Sequence, residues 1–287
     1  MLRERVNPVP KQAIALTPEL YNELTADIYV NTAKVSFAQV APIPEGASIH
    51  DNGCGNGSAT AALMDIIAEK PPKFICIKAT DMAENAIKIY NKRIVDDKWP
   101  AESFHMDSNS LSFPDNTFTH SIANALVFVL PDDGLGTLKE MHRTLKPGGI
   151  AIANSWAVIP QMDAIEAATT TTRPPGTPLP LLKRERWSHP DMLRGVMQKA
   201  GFEDVKVTQT EMWITTCEIH RYATMLWSFV LGTSSVACSI EEEENWDRAI
   251  GIIEEELMNT EGAEVVEGRR LKLRFVVNVG VGMKSPM

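Results

Sequence analysis

The 287-residue sequence is short of cysteine and of basic residues and has no long uninterrupted apolar run, and each shortage excludes a class. Only Cys54, Cys76, Cys217 and Cys238 occur, and no two of them stand at the Cys-x-x-Cys spacing of a zinc site. Scattered thiols in a chain this long read as reduced, mostly buried side chains rather than a disulfide framework, and no metal is expected. Lys and Arg number 28 against 37 Asp and Glu, a net charge of −9, which argues against a surface built mainly to hold a nucleic-acid backbone. The opening MLRERVNPVPKQ is charged, carries two prolines and leads into no apolar stretch, so it is not a signal peptide. Residues 222–240 are free of charge and approach the length of a membrane span, but Thr224, Ser228 and the turn-like 232–235 interrupt them. A buried helix followed by a loop is the reading there, no membrane partner is expected, and the location expected is cytoplasmic. No internal repeat or low-complexity tract appears.

What remains has an ordinary globular balance, 44% hydrophobic and 23% charged, in a chain long enough to bury a large core without staples. From residue 47 onward, short β-like runs alternate with helical patterns, the signature of a parallel α/β sheet. Strands are expected at 47–51, 74–80, 103–106, 120–125, 150–156, 205–210 and 271–281, with helices at 57–69, 82–97, 135–145 and from 188 to Gly201. Pro71-Pro72 and Lys146-Pro147-Gly148-Gly149 supply the helix stops. The fold class predicted is a doubly wound, mostly parallel, seven-stranded Rossmann-like sheet with its last strand antiparallel. A helical arm over 1–44 precedes a core over 45–287, and insertions at about 160–187 and 213–268 are expected to form a lid.

The chemistry concentrates at the junction of the first strand and first core helix, His50-Asp51-Asn52-Gly53-Cys54-Gly55-Asn56-Gly57. Glycines there let the backbone turn tightly and approach a ligand, and free N–H groups at a helix start attract an anion. Asp81 ends the next strand, where a carboxylate accepts from both hydroxyls of a ribose. Alone, the glycines could be a structural turn and Asp81 a helix cap; together they predict a nucleoside site. The dinucleotide pattern Gly-x-Gly-x-x-Gly would require glycine at Ser58, whereas the spacing is Asp-x-Gly-x-Gly-x-Gly.

That motif resembles the first motif of the class I S-adenosylmethionine-dependent methyltransferases. Thr80-Asp81-Met82-Ala83-Glu84-Asn85-Ala86 is similar to the family's second motif. Met106-Asp107-Ser108 with the stretch from Leu111 to Phe118 resembles its adenine segment. Glu140 to Gly149 resembles the run before its fifth strand, and Lys199 to Val205 its entry into the sixth. The resemblance implies S-adenosyl-L-methionine as cofactor. It also implies that Gly53, Cys54, Gly55 and Gly57 wrap the methionine portion, with Asp51 near its ammonium group. Asp81 and Met82 would flank the ribose and adenine, Asp107 and the Ser108 N–H would meet the adenine edge, and Asn124 and Ala125 would line the methionine side. Asn52, where an aliphatic residue is usual, and Thr119-His120, where an acid is common, are departures from the pattern.

For the acceptor, the residues after the fourth strand are Asn124-Ala125-Leu126-Val127 and not the Asn-Pro-Pro-aromatic run seen in enzymes acting on base amines or glutamine amides. A small, largely apolar or aromatic metabolite methylated on oxygen or nitrogen, plausible in secondary metabolism, is the expected partner, and no nucleic acid. Trp156, Trp213, Met225, Trp227 and Phe229 are candidate acceptor contacts, as are Tyr21 and Tyr29, placed eight residues apart on one helical face of the arm. Each could equally serve its own segment's core. No catalytic base is identified among His120, His142, His189 and His220. Alternatives are a cofactor-bound cyclase or isomerase that transfers no methyl, and a non-catalytic binding protein.

Overall fold

The computed structural model describes residues 10–25, 27–40, 42–68, 71–178, 184–234 and 240–286. Cys238, the opening residues 1–9 and the 235–239 portion of the uncharged stretch lie outside them. By contact the chain divides into two compact units, Met1–Asp27, Val158–Leu182 and Trp213–Phe275 in the smaller, and Ile28–Ala157, Lys183–Met212 and Val276–Met287 in the larger.

The strands are β1 Ser48–Asn52, β2 Cys76–Asp81, β3 Ala101–His105, β4 Phe118–Ala123, β5 Leu145–Val158, β6 Glu203–Glu218, β7 Glu264–Val266 and β8 Arg270–Met283. They hydrogen-bond in the order β3-β2-β1-β4-β5-β8-β6, with β7 as a further partner of β8. Neighbours from β3 to β5 run parallel, in register Asp51 with Ala79 and with Ile122, while β7 runs antiparallel to β8. The sheet is therefore mixed and mostly parallel, with β7 as an eighth strand that the sequence pattern did not yield. Its three residues are too few for alternation to register.

The larger unit carries helices α2 Ile28–Phe37, α3 Ser58–Ile67, α4 Glu84–Asp96, α5 Leu135–Thr144, the short α7 Arg184–Ser188 and α8 Pro190–Lys199; the smaller carries α1 Pro18–Thr25, α6 Gln161–Thr172, α9 Ile219–Thr233, the short α10 Ile240–Glu244 and α11 Trp246–Asn259. In the larger unit one core joins Phe118, Leu138, Met141, Leu145, Leu193 and Met197. Burying each of these side chains stabilises by roughly 1.5–3 kcal/mol. Lys284, at the end of β8, closes the carboxyl end of α5: its Nζ donates to the carbonyls of Arg143 (3.1 Å) and Leu145 (2.8 Å), a cation set where the helix dipole is negative. In the smaller unit α6 packs on α11, and both pack on α9. Arg173 and Glu242 form an ion pair buried within it.

Three expectations change. Tyr21 and Tyr29 do not share a helical face, because the arm breaks between α1 and α2, which fall in different units. Phe74, assigned to an inner strand, precedes β2 with a left-handed φ of 60° and is 87% exposed. Ala125, placed on the fourth strand, lies beyond its end with φ 54°. No helix among the described residues is long and apolar enough to cross a membrane, and the uncharged stretch forms α9 as far as Thr233.

Candidate active site

Parallel strands bring their carboxyl ends to one edge, and β1, β2, β3 and β4 there deliver the glycine loop, Asp81, the Asp107 segment and Asn124. Gly53, Gly55 and Gly57 take φ of 69°, 52° and 85°, left-handed values that glycine adopts without penalty. The backbone N–H groups of Gly53 and Cys54 both donate to the Thr80 carbonyl, at 2.8 and 2.9 Å, so the loop folds back onto β2. Gly55 N–H donates to Asp81 Oδ2 at 2.9 Å, and Ala83 N–H donates to Oδ1 at 2.8 Å. Each carboxylate oxygen has two acceptor sites, so these bonds leave capacity for hydroxyl donors.

The loop is pinned from behind. Arg93 of α4 donates to the Asn56 carbonyl at 3.0 Å while its guanidinium lies 4.4 Å from the Trp99 ring. Trp99 and Tyr90 stand against Gly57, where an added Cβ would fall 2.7 Å from the indole. At Gly53 an added Cβ would fall 2.7 Å from Leu126, which ties the loop to the segment after β4.

Asp51 is buried and accepts from the Thr60 hydroxyl at 2.8 Å; that hydroxyl also meets Tyr90 Oη at 2.6 Å. Burial pushes its carboxyl up to about 6, against the Thr60 hydrogen bonds, and the like charge of Asp81 adds to the rise. No cation is among the groups acting on it. A carboxylate ionised at neutral pH in a buried place, without a counter-charge, beside a loop open to close backbone approach, fits a cationic ligand such as a sulfonium carrying an ammonium group. Burial drives the Cys54 thiol far upward, so Cys54 contributes backbone and bulk and not a thiolate.

On the opposite face of β1, His50 bridges Ser121 Oγ at 3.1 Å and Thr80 Oγ1 at 2.9 Å and stacks on Phe118. Burial lowers its pKa to about 3, so it is neutral. Thr80 also donates to Asn52 Oδ1 (3.2 Å), which brings the polar residue at the usually aliphatic position into this network; its Nδ2 is buried without a partner.

Beyond β3, Asp107 is exposed, with Oδ1 accepting from Asn109 N–H at 2.8 Å, and Ser108 is buried beside it. Met82 is 60% exposed. Arg143 holds the following segment through the Leu111 and Phe113 carbonyls and Asp115, while Glu140 accepts from Leu111 N–H. Asn124 Nδ2 donates to the Tyr29 carbonyl at 3.0 Å, and Asn154 of β5 bonds both Asn124 and Ala125.

The sequence-predicted cofactor residues thus gather at one edge of the larger unit. The predicted acceptor contacts do not form one group. Tyr29 and Trp156 are half-buried in the larger unit. Tyr21 and Phe229 meet in the smaller unit with ring centroids 6.0 Å apart. Met225 and Trp227 are fully buried on α9, and exposed Trp213 carries Lys272 Nζ 4.5 Å over its ring. Of the four histidines, His120 is buried inside β4 against Thr119, and His142 lies against Phe202. His189 precedes α8, and His220 meets Glu254 at 2.6 Å. None stands on the glycine loop or on the segment after β4.

Residues that sequence reasoning missed are Thr60, Tyr90, Arg93, Trp99 and Asn154. Only Asn154 leaves a trace, a polar residue in the otherwise apolar run Ile150-Ala151-Ile152-Ala153. The others come from separate elements and have no common spacing.

Residues 49–149 match the family model described as a methyltransferase domain. A methyltransferase named tpcH from Aspergillus fumigatus is 22% identical over 196 residues, covering 66% of this chain and 68% of that protein. A demethylmenaquinone methyltransferase of Bacillus licheniformis is 35% identical over 111 residues, 39% of this chain and 45% of that protein. Among solved structures, a Haemonchus contortus phosphoethanolamine N-methyltransferase in complex with phosphomonomethylethanolamine and S-adenosylhomocysteine superposes with a TM-score of 0.54 at 13% identity. That match covers 93% of this chain and 56% of the other. The glycine loop, Asp51 and Asp81 at the carboxyl edge of a mostly parallel sheet all lie in the matched stretch, so residues 49–149 form a methyltransferase domain of the S-adenosylmethionine-dependent kind.

Proposed function

We propose that the protein transfers the methyl group of S-adenosylmethionine to an oxygen or nitrogen of a small, largely apolar or aromatic metabolite. The observation that carries the site assignment is buried Asp51, held by the Thr60 hydroxyl beside a loop whose Gly53, Gly55 and Gly57 are all left-handed. In this reading the backbone of Gly53, Cys54, Gly55 and Gly57 wraps the methionine portion and Asp51 meets its ammonium group. Asp81 takes the ribose hydroxyls, with Met82 over the adenine and Asp107 and the Ser108 N–H on its edge. Asn124 and Ala125 line the methionine side.

Bound there, the cofactor supplies a methyl already activated by the sulfonium. The chain's part is to fix the geometry and keep water out, and holding reactants in place contributes about 7–11 kcal/mol in favourable cases. None of His120, His142, His189 and His220 stands at this edge, and His105, which ends β3 there, has Nε2 2.9 Å from the Met82 carbonyl; an acceptor that arrives with its nucleophile already unprotonated needs no base. A relative named demethylmenaquinone methyltransferase supports an acceptor that is neither protein nor nucleic acid. Of the acceptor contacts expected from the sequence, half-buried Tyr29, whose carbonyl receives the Asn124 amide, and half-buried Trp156 of the larger unit are the candidates to meet the acceptor.

Incubation with methyl-labelled cofactor and metabolite extracts, followed by mass spectrometry, tests this. A labelled product heavier by one methyl group is expected; a product of unchanged mass would replace methyl transfer with a cyclisation or isomerisation. Labelled polypeptide or nucleic acid without a labelled small molecule would overturn the substrate class.

A further inference from the structure

In the larger unit, the segment after β4 is held in an unusual shape by one side chain. Ala125 has φ 54°, a left-handed conformation that strains an L-residue bearing a Cβ. Its backbone N–H donates to Asn154 Oδ1 at 2.6 Å. Asn154 is buried on β5, and both hydrogens of its amide are also placed: Nδ2 donates to Asn124 Oδ1 at 2.8 Å and to Ser36 Oγ at 3.0 Å. Ser36 in turn donates to the Thr32 carbonyl at 2.7 Å within α2, and Asn124 donates to the Tyr29 carbonyl. The amide orientation follows from this network, because the Ala125 N–H needs an acceptor and the Ser36 hydroxyl proton is already used.

The consequence reaches the glycine loop. Residue 126 follows directly on the left-handed Ala125, and the Leu126 side chain lies so close over Gly53 that an added Cβ would sit 2.7 Å away. One carboxamide therefore sets the Asn124–Ala125 backbone, that backbone aims Leu126, and Leu126 closes on the loop.

We infer that Asn154 is a positioning residue for cofactor binding: it locks Ala125 in its left-handed conformation and ties the segment after β4 to α2. This rests on the reading that Asn124 and Ala125 line the methionine side of the cofactor. Asn154 itself touches neither the glycine loop nor Asp81 through any of these bonds, so its effect passes through Ala125.

The test is a double-mutant cycle between Asn154→Ala and Ala125→Gly, read as S-adenosylhomocysteine affinity by calorimetry and as thermal stability. Glycine takes a left-handed φ without strain, so it stands in for the lost hydrogen bond. Asn154→Ala is expected to weaken binding at least tenfold in the parent but less than threefold when made in Ala125→Gly, so that the double variant recovers most of the loss. Asn154→Asp, which keeps the acceptor for Ala125, is expected to bind more tightly than Asn154→Ala. Binding by Asn154→Ala within twofold of the parent, or no recovery in a folded double variant, overturns the inference. If Asn154→Ala does not fold, recovery of folding and binding together in the double variant supports it, and a double variant that stays unfolded overturns it. Failure of the unsubstituted protein to bind S-adenosylhomocysteine would instead refute the cofactor site itself.

Discussion

At the scale of single residues, Asp51 and His50 are neighbours on β1 that face opposite ways and titrate oppositely. Asp51 holds its proton up to about pH 6 in the folded protein but only to about 3.8 when unfolded, so its contribution to stability falls as pH rises between those values. His50 is neutral above about pH 3 when folded but protonates near 6.5 when unfolded, so its contribution rises with pH across that window. The two slopes oppose each other from about pH 4 to 6. Asp51→Asn removes one of them. In urea denaturation of the cofactor-free protein, this variant is expected to gain about 3 kcal/mol over the parent between pH 4 and pH 7. On the proposed function its affinity for a cationic cofactor falls at the same time, because the buried carboxylate that costs stability in the cofactor-free protein would receive the positive charge. A constant difference in stability across that range would mean that the carboxyl ionises normally.

Asp81 acts differently, since its oxygens already hold Gly55 and Ala83 N–H groups. Asp81→Ala removes both the ribose acceptor and the tie on the loop. A loss of tenfold or more in S-adenosylhomocysteine affinity is expected by calorimetry, and an unchanged value would refute the assignment. The placement of Asp51 and Asp81 at the edge of the sheet was legible in the sequence because both stand near strand ends next to a recognisable spacing. Thr60, Tyr90 and Trp99 were not, because an ordinary helical threonine or an aromatic carries no mark of what it packs against.

At the scale of elements, the glycine loop separates two uses of one residue type. At Gly57 a Cβ would strike the Trp99 ring; at Gly55 nothing lies within 4 Å of it. Gly57→Ala therefore combines a left-handed alanine with overpacking and is expected to cost about 2–4 kcal/mol in chemical denaturation. Gly55→Ala carries only the backbone strain, about 1–2 kcal/mol, and its larger effect should be on cofactor affinity, because the open side of the loop is where a ligand approaches. Equal losses of stability in the two variants would contradict this division. The alternation of strand and helix was plain in the sequence from β1 to α5 because inner parallel strands are apolar on both faces. The arm read as one helix and proved to be α1 and α2. A helical period cannot show where one helix ends and the next begins when apolar residues continue through both.

At the scale of the molecule, the smaller unit is assembled from three separated stretches of chain. Within it, Arg173 at the end of α6 pairs with Glu242 of α10, both side chains 1% exposed, and Arg173 Nη2 also donates to Ser234 Oγ at 3.3 Å. Removing one partner leaves the other charge buried. Glu242→Ala is expected to lower stability by about 3–5 kcal/mol, whereas Arg173→Met with Glu242→Leu together should recover most of the loss. Urea titration of the single and double variants checks this, and additive losses would contradict it.

The sequence by itself determined the glycine spacing, the acid at each strand end and the order of landmarks that identifies the cofactor, because these are local: each needs only a turn, a strand end and the residue that follows. Only the tertiary structure decided that Asp51 is buried far enough to shift its ionisation. It also decided that Leu126 lies over Gly53 and that Asn154, 29 residues along the chain from Ala125, sets that residue's backbone. Burial, close approach and strain are properties of what surrounds a residue, and the sheet brings together surroundings from β1, β4, β5 and α2 that no spacing along the chain encodes.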